Sequence, residues 1–92
     1  MSRRETYFEI LSLMDKALVR GANQFTIENA AALQKQCSRW MEMGGSSYEE
    51  GIIDQFLSVT STARGEMEDR VRSLTDRAME LKGAWRNVGA PE

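Results

Sequence analysis

The sequence predicts an all-α protein. The expected form is a small bundle of three helices, the third long and kinked or broken near residues 58–65, in which case there are four. Three observations lead there. Apolar residues recur at steps of three and four through each of three stretches, the spacing that places them on one helix face. A Ser or Thr closely followed by Glu stands where each stretch begins. Glycine stands where the first two stretches end.

In the first stretch, Ser2 with Glu5 fits a capping box, and Tyr7, Ile10, Leu11, Met14, Ala17 and Leu18 give a wide apolar stripe. A helix over about 3–19 follows, with Arg20 favoured in its last turn and Gly21 as its stop. Residues 22–25 are a short connection. Thr26 is the next N-cap, and Glu28 suits the positive end of the helix dipole. Ile27, Ala30, Leu33, Cys37, Trp40 and Met41 make the second stripe, over about 27–43, closed by Gly44-Gly45. Ser47 with Glu50 reads as a further capping box, and the short link predicts an antiparallel hairpin.

The third stretch, about 48–86, is the longest. Ile52, Ile53, Phe56 and Leu57 open its apolar face. Thr60, Ala63, Met67, Val71, Leu74, Ala78, Leu81 and Trp85 continue it as a heptad-like seam with one stutter. Charges at Arg64–Glu68, Glu66–Arg70 and Glu68–Arg72 can pair at i,i+4. The β-branched, hydroxyl-rich run 58–62 and Gly65 interrupt this pattern. Because the stripe carries across them, the reading favours one kinked helix, with a disordered tail over about 87–92. An unbroken helix would be about 58 Å long and would overhang its neighbours, leaving the seam from 66 onward for another chain to cover. A broken one would give a self-contained four-helix bundle.

A chain of 92 residues makes a single domain, residues 1–92. So short a chain buries only about 60–65% of its unfolded surface, which makes oligomerisation or partner binding a natural source of extra stability. The net charge of −2 lacks the basic excess of a general nucleic-acid or anionic-membrane binder. There is no apolar run long enough for a membrane span and no apolar signal-peptide core. A lone cysteine, Cys37, falls on an apolar stripe and reads as a buried thiol in a reducing, cytoplasmic setting. Histidine is absent, which removes Ser-His and Cys-His dyads and helical His metal motifs. No enzyme, cofactor or metal site is expected. Glu50 and Asp54 share a helix face, and acidic residues in a first turn are accounted for by the helix dipole.

Two stretches resemble known families. Thr26, Ile27, Glu28, Ala30, Ala31 and Leu33 resemble the opening of the excisionase and MerR-like helix-turn-helix. That resemblance implies DNA contacts from residues 26–44, with Lys35 and Arg39 as the basic groups. It covers eight residues and departs at Gln34-Lys35-Gln36-Cys37, where the motif requires a turn. Trp40 near the middle turn resembles the small secreted Trp-x-Gly helical hairpins. Here Gly44 comes two residues too late, and the C-terminal tyrosine export signal has no match.

The resulting expectation is a non-enzymatic regulator, inhibitor or assembly adaptor that binds a protein partner through a helical surface, as a homodimer. A helix-turn-helix-like DNA-binding regulator and a self-assembling structural protein are the alternatives. The expected partner or self-association face is Met67, Val71, Leu74, Leu81 and Trp85, since large apolar and aromatic side chains dominate interface energetics. Arg70, Arg72 and Arg77 are candidate polar contacts, because guanidinium forks suit carboxylates.

Overall fold

Helix caps written in the sequence fix most of the chain's corners. The computed structural model describes residues 2–19, 26–63 and 65–92, and it is all-α, with four helices and no strand among the described residues. Helix α1 spans Arg3–Val19, α2 Ile27–Glu42, α3 Ser47–Ala63 and α4 Glu68–Val88. The expected stop at Arg20-Gly21, the connection 22–25 and the Arg64–Glu68 pair involve positions outside the described residues.

At the start of α1 the Glu5 amide donates to Ser2 Oγ at 3.1 Å, and at α2 the Asn29 amide donates to Thr26 Oγ1 at 3.2 Å. α2 closes in a Schellman turn. Gly45 N–H donates to Trp40 O at 2.9 Å, Gly44 N–H donates to Met41 O at 3.1 Å, and Gly44 takes φ +98°. The capping box of α3 lies one residue earlier than expected. Ser46, not Ser47, caps the Glu49 amide, and the Glu49 carboxylate accepts from the Ser46 amide in return.

The long third helix does not form. The chain breaks between Ala63 and Glu68, with Gly65 at φ +75° and Met67 extended as the N-cap of α4. The glycine tolerates the left-handed conformation that ends a helix. Just upstream, the Thr60 hydroxyl donates to the carbonyls of Phe56 and Leu57. The apolar seam crosses the break because both helices face one core. Periodicity alone does not distinguish that from a single helix. The C-terminus is also more ordered than expected. α4 runs to Val88, and Arg4 Nη1 donates to Pro91 O at 3.2 Å.

Successive helices pack against one another, and α4 returns to close on α1. Cross-contacts set α1 antiparallel to α2 and to α4, and the start of α3 lies beside the end of α4, with Ser47 and Tyr48 near Leu81 and Ala84. Arg3 lies over the Trp40 ring, Gln55 bonds Arg77, and Trp85 Nε1 donates to Tyr7 O at 3.4 Å. The core runs along the bundle through Ile10, Met14, Leu33, Ile53 and Phe56. At one end it becomes aromatic. Tyr7 stacks on Trp85 with ring centroids 5.6 Å apart, and Trp40 meets Trp85 edge-on at 5.2 Å. Gly45 lies close against the Trp40 indole, where a β-carbon would collide with Cδ1 and stand 2.8 Å from Nε1. No helix among the described residues is long and apolar enough to cross a membrane.

Candidate partner-binding groove

The structure divides the expected partner face. Trp85 is fully buried, and Leu81 is nearly so; both belong to the chain's own core. Neither forms part of a free face, because the break at Gly65 folds the seam inward. Val71 and Leu74 are half-buried, and Met67 is exposed at the N-cap of α4. These five residues therefore do not form one open surface. Arg70 is exposed and pairs with Glu66 at 3.7 Å, and Arg72 is exposed.

Arg77 is placed differently. It stands on the rim between α3 and α4, where Nη2 donates to Gln55 Oε1 at 2.7 Å and Nη1 donates to Glu80 Oε2 at 3.0 Å. Below it runs a groove of about 380 Å³, floored by Ile52 and Leu81 and narrowed by no side chain at Gly51. A β-carbon at Gly51 would meet nothing within 4 Å, so this glycine leaves open space inside a helix. Tyr48, 65% exposed, borders the groove at the start of α3. The result is a trough of mixed polar and apolar lining, with a phenol at one end and an oriented guanidinium on its edge. Both groups are common anchors in protein interfaces.

A second, smaller groove of about 280 Å³ lies between α1 and α4, with Leu18, Met79 and Gly83 in its lining and Lys82 and Arg86 on its edge. Lys82 is ion-paired with Asp15 of α1. Tyr48 and Gly51 were not singled out from the sequence; Met79 was read there as one of several methionines suited to core or to an adaptable surface, and Gly83 as part of the C-terminal stop. For the two glycines the available signal was their place inside the third helical stretch, at positions where no turn is needed.

The DNA-contact candidates lie on α2, with Lys35 exposed and Arg39 half-buried. α2 is uninterrupted from Ile27 to Glu42, so residues 26–44 hold one helix and no helix-turn-helix. Cys37 is buried, and desolvation, reinforced by the Asp54 and Glu50 carboxylates, pushes its thiol up to about 11. That opposes thiolate formation at neutral pH. Among the described residues no three acidic or thiol groups converge as a metal site would require.

The fold and these surfaces define a small four-helix bundle. Comparison of the chain with protein-family models, curated proteins and solved structures finds no match.

Proposed function

We propose that this chain is a non-enzymatic protein-binding module, acting as a regulator, inhibitor or adaptor, that receives a partner segment in the α3–α4 groove. The observation that carries the reading is the exposed Tyr48 beside the open position at Gly51, facing an Arg77 held in place by Gln55 and Glu80. An exposed tyrosine next to a recess offers a large rigid contact at low entropic cost. The anchored guanidinium offers a carboxylate partner a group whose orientation is already fixed. The unpaired thiol at Cys37 fits a reducing compartment, so the proposal places the chain in the cytoplasm.

Affinity capture from the native host with the intact chain, set beside Tyr48→Ala and Gly51→Leu, tests the assignment. Both substitutions fall at open positions, so helix content should hold. A partner retained by the wild type and lost by both variants supports the groove. Capture that is equal in all three, or absent in the wild type, removes it.

A further inference from the structure

The side of α4 that borders its groove with α1 carries a pattern that the chain leaves open. Asp76, Met79, Gly83 and Arg86 follow one another at steps of 3, 4 and 3, the spacing of a seam between two helices. Asp76 and Arg86 are exposed, and neither forms an ion pair among the described residues. Met79 is 59% exposed, an uncommon place for an unbranched apolar side chain. Gly83 sits inside the helix, where glycine is unfavourable, and a β-carbon there would meet nothing within 4 Å. Nothing within the chain requires glycine at this position.

We infer that this stripe is a self-association surface whose occupant is the α4 of a second copy, packed antiparallel about a twofold axis. The register follows from the stripe itself. When Met79 lies level with the partner's Gly83, the twofold axis places Gly83 level with the partner's Met79. The same register sets Asp76 beside the partner's Arg86, and Arg86 beside the partner's Asp76. The methionine fills the recess that the glycine leaves, and each carboxylate meets a guanidinium, so shape and charge match in one alignment. A twofold contact must be self-complementary in this way. Like charges near the axis are already neutralised within each chain, Lys82 by Asp15 and Glu80 by Arg77. With Met79 as its one large apolar side chain, the contact belongs to the weak, reversible class. It lies on a different face from the α3–α4 groove and stands or falls separately from that reading.

Sedimentation velocity on the full chain, at concentrations rising to about 1 mM, the weak end of measurable association, provides the test. The wild type is expected to show a reversible monomer–dimer equilibrium. Asp76→Arg and Arg86→Asp each place like charges at both symmetric contacts and are expected to raise the dissociation constant about tenfold or more. An equimolar mixture of these two variants restores complementarity at both contacts and should recover the dimer as a mixed pair. Gly83→Leu fills the recess and should abolish association while circular dichroism stays unchanged. A wild type that remains monomeric at about 1 mM overturns the inference. So does a dimer that survives Gly83→Leu, or a mixture that sediments no faster than its separate components.

Discussion

The two halves of α4 share one apolar rhythm but differ in burial. From residue 78 onward the seam is interior. Ala78, Leu81 and Trp85 are buried, and Trp85 stacks on Tyr7 and meets Trp40. From 68 to 77 no residue is buried, and Val71, Leu74 and Thr75 are only half covered. The pairing of Gln55 with Arg77 sets the C-terminal half of α3 beside this region, and beyond Phe56 and Leu57 that half holds only Val59 and small or hydroxylated residues, of which Ser58, Ser61 and Thr62 are themselves exposed. The other half of α4 meets an aromatic cluster built from α1 and α2. What separates the halves is the size of the side chains opposite, since burial free energy scales with the apolar area that neighbours remove from water.

The sharpest way to break that comparison is to truncate one seam residue in each half. Trp85→Ala removes the central ring of the aromatic cluster and should cost about 3–5 kcal/mol, the usual range for a buried aromatic. Leu74→Ala, at a half-covered site, should cost about 1 kcal/mol. Urea titration followed by circular dichroism reads both. Equal losses would mean that the two halves are anchored alike, contrary to their burial.

The same contrast marks what could be read in advance. The caps at Ser2 and Thr26 and the Gly44-Gly45 turn were legible because each depends on residues three to five positions apart. The break at Gly65 was less so. A seam that continues in phase looks the same whether the helix runs straight or folds back onto the same core. Its consequence, the inward turn of Leu81 and Trp85, depends on contacts between Trp85 and Tyr7, 78 positions apart. Local periodicity carries no record of such a pairing. Arg77 was visible as a candidate polar group, but its fixed orientation comes from Gln55 on another helix. Gly51 and Gly83 were visible as glycines, but only the folded chain reveals that both face open space.

One pair of glycine substitutions tests the two settings with the same chemical change. At the aromatic end, Gly45→Ala drives a β-carbon into the rigid Trp40 indole, whose flanking turn is already fixed by the Gly45–Trp40 hydrogen bond. A cost of about 1–3 kcal/mol is expected, as for other overpacked sites. On the side of α4 that borders its groove with α1, Gly83→Ala meets no neighbour, and alanine loses less backbone entropy in a helix. A gain of about 0.5–1 kcal/mol is expected there. Thermal melts of the two variants should therefore move in opposite directions. If both fall, Gly83 makes a contact within the chain, and its proposed role as a recess for a second copy loses its basis.

Cys37 gives the smallest effect and a probe for the same comparison. Its thiol is buried on α2, one turn before Trp40, and burial with the Asp54 and Glu50 carboxylates raises it from an ordinary 9.0 to about 11. Below about pH 9 the thiol is protonated in both the folded and unfolded chain, so its contribution to stability is complete. Between about 9 and 11 the unfolded chain ionises while the folded chain holds its proton, and stability falls as pH rises. Urea midpoints measured across that window should decline in the wild type and decline less in Cys37→Ala. At pH 8 the thiol should react slowly with a disulfide reagent, at a rate limited by opening of the bundle. Trp85→Ala loosens the aromatic end beside it and should speed that reaction far more than Leu74→Ala does. Acceleration that tracks each variant's loss of global stability in urea would show that the thiol is exposed by global unfolding, and that the bundle opens as one cooperative unit.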